Sequence, residues 1–502
     1  MPLRQIRLQR RSLLLASAAL AALTSGAAAK DLPPTPEGAE KIRSFLETYA
    51  GKPAEGAPST TTISVESDDY LVSVDLAAMT AALKGAGISY DSAVVKYKVI
   101  EQDDGAWRVE QSEMPAISGH SKQGDMTTDT SVAITGLHSV VLIDPSISWV
   151  QSGKYSADNM DIRAHARGIE QSFDLGTQQG EISTTASPEG AVATNFRQSI
   201  ASMAMSMAID LKAANPEANP DAKPVNFSVA AGPSDISVKL DGAKPGPLLD
   251  LWAYLVAHHA RSEIAADEPA FKALLTAALA AQTAVGEDFG MQKLSVQTSQ
   301  GAFTFDGAKF GLTLAAAGPA SRFEQHYAAT GFTLPPGLVP APFQDFVPSS
   351  FDLGFKVTGF DLTAAGTEAI ADMHLAGDGP PLSQDDKAKI SAKLLGAGPV
   401  IIDISSSHVL APQLDVSFEG QIRYLGPQST GTVTLHARNF DQAAAAALKA
   451  AGPEGEKKLV PVIAMAKGLA KTDPNGVMTW VGEIGDDHVM KVNGLPLGKA
   501  PY

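Results

Sequence analysis

Apolar and polar residues alternate one for one along much of this chain, in stretches that Gly, Pro, Asn and Asp bring to an end. The strictest run places Met203, Met205, Met207, Ile209 and Leu211 against Ser202, Ala204, Ser206, Ala208 and Asp210. A period of two sends successive side chains to opposite faces, so the run predicts a half-buried strand. Phe351, Leu353, Phe355 and Val357 alternate in the same way with Asp352, Gly354 and Lys356. Between residues 115 and 200 the alternation is weaker and rich in Ser, Thr and Gly, and it reads as a series of antiparallel strands. Asp103-Asp104-Gly105 supplies the positive φ of a tight hairpin.

In four places the period changes from strand to helix. The stretches are YLVSVDLAAMTAAL, ISVKLDGAKPGPLLDLW, FKVTGFDLTAAGTEAI and VTLHARNFDQAAAAAL. Each strand ends in Asp or Asn close to a helix entry, which suits an N-cap. The last ninety residues, from Leu414, carry the clearest case. Two strands precede an alanine-rich helix and a second helix, KKLVPVIAMAKGLAK, and a final hairpin follows. The spacing predicts that Val433, Leu435 and the helix from Ala443 to Leu448 form one apolar layer with Leu459, Val462, Ile463 and Met465. Trp480 and Val492 are expected to close it.

The fold class predicted is α+β: mainly antiparallel sheet of long alternating strands, with short helices packed on one face in repeated strand–helix–strand units. Residues 1–29 read as a signal peptide. Residues 30–345 and 346–502 read as two sheet-rich regions with two such units each.

Composition narrows the setting. Arg4, Arg7, Arg10 and Arg11 precede a short apolar run, and Ala27 and Ala29 offer a cleavage site before Lys30. The segment is too short and wrongly flanked for a stable span, so the expectation is export to the periplasm with no membrane anchor after cleavage. Arg10-Arg11 also fits a twin-arginine signal, but the Sec route is the one favoured. The chain holds 39 basic and 55 acidic residues. Cleavage would remove four arginines and no acid. A chain this acidic repels nucleic acid, and any lipid contact would have to be apolar rather than electrostatic. There is no cysteine, hence no disulfide, no thiolate metal site and no lipidated N-terminal cysteine.

Recognisable reaction chemistry is sparse. His258-His259 is the one adjacent histidine pair, and His259 and Glu263 lie one helical turn apart. A zinc site needs three or four ligands, so an i,i+4 pair on a helix edge is the reading preferred. Met203, Met205 and Met207 have the thioether chemistry of a Cu(I) site. No histidine or further methionine lies near them in sequence, so they read as core or groove lining. No G-x-S-x-G elbow or P-loop is present. Gly85-Ala86-Gly87 and Gly396-Ala397-Gly398 read as helix C-caps, and Ser67-Asp68-Asp69 and Gly485-Asp486-Asp487 as hairpin turns. No catalytic residue, metal ligand or cofactor is assigned. The candidates for a ligand groove are Met203, Met205, Met207, Phe351 and Phe355.

The apparent signal peptide, the absence of cysteine, the strand–helix passage GTVTLHARNFDQAAAAAL and the ending VMKVNGLPLGKAP together resemble a family of exported alphaproteobacterial envelope proteins of unknown function. That family is similar in layout to AsmA-like and YdgA-like envelope proteins, with long antiparallel sheets and a closing Asn-Gly-x-Pro-Leu hairpin, here Asn493 to Leu497. The resemblance implies a non-enzymatic envelope protein and brings no catalytic residues. With the alternating strands, it gives the expectation that a curved sheet binds a lipid or a client envelope protein. The alternatives are a scaffold that pairs through its sheet edges, and a hydrolase built from dispersed acidic residues.

Overall fold

The computed structural model describes residues 29–50, 59–79, 88–91, 93–123, 126–211, 224–258, 261–281, 284–316, 318–377, 379–396, 398–425 and 428–499. Almost all of the expected signal peptide, most of the linkers after α1 and after Leu211, the Gly85–Gly87 cap and His259 lie outside them. The chain divides into two compact units. The first holds residues up to 229, 233–283 and 374–381, and the second holds the remainder. The division falls near residue 283 rather than at the expected 345, because the strands just after 283 ladder directly onto the strand that carries Phe351.

The first unit opens with helix α1 (Pro36–Ala50) and strands β1 (Thr61–Val65) and β2 (Tyr70–Asp75). A single helical turn, α2 (Leu76–Met79), leads to β3 (Ile88–Tyr90), β4 (Val94–Glu101), β5 (Trp107–Gln111) and β6 (Ile117–Gln123). Then come β7 (Met126–Thr135), β8 (His138–Asp144), β9 (Trp149–Ala157), β10 (Asn159–Ala166) and β11 (Ile169–Leu175). The last strands are β12 (Gln178–Ala186), β13 (Val192–Ile200), β14 (Met203–Ile209), β15 (Val225–Ala231) and β16 (Ser234–Ala243). Helices α3 (Pro245–Ala257), α4 (Arg261–Ala266) and α5 (Glu268–Ala280) follow.

Apart from β15, these strands form two antiparallel ladders. One runs β1-β2-β4-β5-β8-β9-β12-β13-β16. The other runs β3-β6-β7-β10-β11-β14. From β6 to β14 the chain changes ladder after every second strand, through Gly136-Leu137, Asp158, Gly176-Thr177 and Ala201-Ser202. Backbone pairing persists through these steps: Asp158 N donates to Thr135 O at 2.9 Å, Gly176 N to Ser202 O at 2.9 Å and Ala201 N to Thr177 O at 2.8 Å. The two ladders are therefore two limbs of long strands, joined along a shared crease. Gly136 adopts φ +62°, and a Cβ there would come within 2.1 Å of the Asp158 carboxylate, so the crease requires glycine at that position.

Helix α1 covers one end of the first ladder. Ala39, Ile42, Phe45 and Leu46 recur at helical spacing and pack against Tyr70, Val72, Val99 and Trp107. Phe45 meets Trp107 edge-on at 5.1 Å. Trp252 of α3 donates to the Tyr49 carbonyl at 2.8 Å, which ties α3 to the end of α1.

The second unit contains β17 (Ala284–Thr298), β18 (Gly301–Ala315), β19 (Ser321–Thr330) and β20 (Ser350–Phe360), then helices α6 (Leu362–Ala371) and α7 (Gln384–Leu395). It continues through β21 (Val400–Ala411), β22 (Leu414–Tyr424) and β23 (Thr430–Arg438) to helix α8 (Phe440–Leu469). β24 (Lys471–Thr472), β25 (Met478–Ile484), β26 (Val489–Val492) and β27 (Leu495–Lys499) end it. Apart from the short β24, which pairs with β25, the strands form one antiparallel meander in chain order, with β23 next to β25. This mainly antiparallel sheet with inserted helices is the α+β class that the alternation predicts.

The helices enter at the four expected places, but the caps differ among them. Asp75 accepts from Ala78 N at 3.1 Å, and Asp361 accepts from Ala364 N at 2.8 Å. Asn439 is left-handed (φ 62°) and caps nothing with its side chain, while Lys244 rather than Asp241 precedes α3. Helix α8 is broken at Gly452 (φ 64°), immediately before Pro453, so it is two helices in series as the sequence implies. The layer predicted around it needs correction. Leu459, Ile463 and Ala466 are half-buried, whereas Val462 and Met465 are 54% and 60% exposed. Both sides of this helix are apolar, so periodicity alone does not choose the buried one.

Candidate functional site

The crease of the first unit is built from rows of residues that face one another across strands. Leu137 precedes β8, and beside it Ala157, Gln178, Ile200 and Ser234 stand in a line, all buried. On the far side of the crease the matching line is Ile134, Met160, Leu175 and Met203. Two residues separate the lines in every strand, for example Asp158-Asn159 and Ala201-Ser202. In a regular strand this spacing would send the two lines to opposite faces. Thr135, Gly136, Asp158, Thr177, Ala201 and Ser202 are instead exposed, and the lines beside them are buried or half-buried. The apolar faces of both limbs thus meet on the side that the crease buries.

Further rows extend that inner side. On the first ladder Val99, Val109, Val141, Gly153, Ile182 and Phe196 are directly opposed in sequence. On the second, Ile117, Val132, Ile162, Phe173 and Met205 are. Met203, Met205 and Met207 therefore line the inner side of the second limb, half-buried, with exposed Ala204 and Ser206 turned outward between them. The alternation ends at Ile209, and Leu211 lies beyond the ladder, 36% exposed.

A narrow polar stripe interrupts the inner side next to the crease. Gln111, Ser139, Tyr155, Gly180 and Gln198 form its row. The Tyr155 ring lies over Gly180, where a Cβ would come within 2.1 Å of it. Burial pushes the Tyr155 phenol up, so it stays neutral at any physiological pH. Gln198 Nε2 donates to Gln178 Oε1 at 2.9 Å. Gln178 is 2% exposed, and its own Nε2 has no hydrogen-bond partner. Nothing in the sequence pattern singles out this glutamine. Its burial depends on the breaks in several hairpins aligning, which requires the register.

The rows on the other side carry charge. Lys98, Glu110, Lys154, Glu181 and Arg197 share one outer row of the first limb. On the second limb His120 meets Asp129 at 2.7 Å and Asp91 at 3.3 Å. The Asp129 and Asp91 carboxylates raise the His120 pKa. Asp161 and Asp174 oppose each other beside Arg163. The guanidinium holds Asp161 below the usual carboxylate range, while the hydrogen bond to Asp161 raises Asp174.

Phe351 and Phe355 lie in the second unit. Phe351 shares a row with Ala308, Ala329, Val409 and Val416, and Phe355 with Leu312, Gln325, Ile404, Gly420 and Val433. Both are half-buried, and Phe355 packs on Phe323 at 6.0 Å between ring centres. The opposite face carries pairs such as His326–Asp352 at 2.7 Å and His408–Asp415 at 2.6 Å. Helix α8 reaches the sheet where Trp480 donates to the Ala466 carbonyl at 2.7 Å.

His258 Nδ1 donates to the Tyr254 carbonyl at 2.9 Å, and the ring stacks on that of Tyr254 at 4.0 Å, as a helix-end residue does. Among the described residues no three His, Asp or Glu side chains gather closely enough to hold a metal ion. Among them, too, no helix is long and apolar enough to cross a membrane. No family model, curated protein or solved structure matches the chain.

Proposed function

We propose that the chain is a non-enzymatic binding protein of the cell envelope, exported to the periplasm, which holds the acyl portion of a lipid on the inner side of its creased sheet. The observation that supports this most directly is the division of charge in the first unit. Five opposed rows on the inner side of the crease contain no charged side chain, and the rows behind them are charged. Where that side is half-buried rather than buried, as at Ile162, Phe173, Met203 and Met205, an apolar face needs a covering, and a hydrocarbon chain supplies one without needing any charged partner. Methionine and phenylalanine in these rows suit a flexible occupant, because thioether and ring surfaces adapt to chains of different shape.

The test is purification of the full protein from its native envelope, without detergent exchange, followed by solvent extraction and mass spectrometry. A stoichiometric lipid is the expected finding. Protein that comes out lipid-free and refuses added acyl lipids in solution would overturn the reading.

A further inference from the structure

The polar stripe inside the crease is the part of the inner side that hydrocarbon alone does not explain. Gln178 stands beside it at 2% exposure, in the line that borders the crease, with the apolar line of Ile134, Met160, Leu175 and Met203 on the far side. Gln198 Nε2 donates to Gln178 Oε1 at 2.9 Å, which fixes the Gln178 amide with its NH2 turned away from that bond. The Gln178 Nε2 is then a buried donor with no acceptor. A buried donor left unpaired is a standing cost that an incoming acceptor relieves. Neighbouring Tyr155 and Ser139 add neutral hydroxyl groups, and the rows that face them contain no cation. A carboxylate or phosphate placed here would be a buried charge without a partner. An uncharged carbonyl flanked by hydrocarbon meets every condition.

We propose that Gln178 Nε2 is the hydrogen-bond donor to the carbonyl oxygen of an acyl ester, whose chain lies along the apolar rows beside the crease; this rests on the lipid-binding reading above. Gln198 is a positioning residue that orients the Gln178 amide. Selectivity then lies in the linkage: neutral esters are taken, alkyl ethers of equal length are taken less well, and free fatty carboxylates are rejected.

The experiment measures the affinity of the delipidated full chain for three probes with the same sixteen-carbon chain: 1-palmitoyl glycerol, 1-O-hexadecyl glycerol and palmitate. The ester should bind about tenfold more tightly than the ether, the ratio expected of one hydrogen bond to a buried donor. Gln178→Leu should bring that ratio to about one by weakening the ester alone, with ether affinity and melting temperature unchanged or raised. Should Gln178→Leu not fold, Gln178→Met and the wild-type ratio itself decide the matter. Equal affinity of the wild-type protein for ester and ether, or palmitate bound as tightly as the ester, overturns the assignment of Gln178 and leaves lipid binding standing. Failure to bind any of the three counts against the lipid-binding reading instead.

Discussion

Asn493 holds three segments together with one side chain. Its Nδ2 donates to the Leu469 carbonyl at 2.7 Å and to the Thr479 carbonyl at 2.9 Å, and its Oδ1 accepts from Val481 N at 3.0 Å. Its backbone is left-handed at φ 51°, with Gly494 at φ 85° behind it. The sequence offers Asn493-Gly494 as a hairpin turn, and it is one. The role of the side chain was not legible, because the groups it reaches lie twelve or more residues away. Asn493→Ala should remove all three bonds and leave two carbonyls and an N–H short of partners. The expected loss is about 3 kcal/mol at net values near 1 kcal/mol per bond. Urea unfolding measures it, together with faster hydrogen exchange at the Val481 amide. A loss under about 0.5 kcal/mol would mean that solvent replaces these bonds without cost.

At the scale of elements, helices entered where the sequence changes period, and strand faces followed the alternation of Met203 to Ile209 and of Phe351 to Val357. What escaped was the side that each helix buries. In α8 the apolar residues surround the axis, so Val462 and Met465 could be told from Leu459 and Ile463 by tertiary contact alone. Helix α7 is the opposite case, since its entry is written into the sequence as Ser383-x-x-Asp386. Ser383 Oγ accepts from Asp386 N at 3.1 Å, and Asp386 accepts from both the Ser383 hydroxyl and its N–H. Those bonds, with a smaller contribution from Lys389, hold the Asp386 carboxyl at about 2, below its ordinary 3.8. A depressed folded value contributes stability that is complete above 3.8 and is lost as pH falls through about 2. Carboxyl carbon NMR of Asp386 should therefore give a midpoint near the lower figure, and Ser383→Ala should move it up toward the ordinary one. A wild-type midpoint already at the ordinary value would show that the capping box does not persist in solution.

For the molecule as a whole, the alternation that makes the strands also sorts charge from hydrocarbon, and in the first unit the crease keeps that sorting on one side of both limbs. The alternation was readable residue by residue. The crease was not, since it arises from two-residue steps in four connections that align only once the strands are paired. The consequence can be tested by stability. A ligand bound only by the folded chain adds about 2.7 kcal/mol when present at about one hundred times its dissociation constant. Protein carrying its native lipid should therefore melt above the delipidated protein, and lipid added back should restore the difference. Ile182 and Glu181 are consecutive residues of β12, one on the inner row and one on the outer. Ile182→Glu places a charge against the proposed occupant and should abolish both lipid retention and the rise in melting temperature. Glu181→Ile, on the charged side, should preserve both. If the two variants retain lipid equally, the occupant does not lie on the inner side of the crease, however apolar that side is.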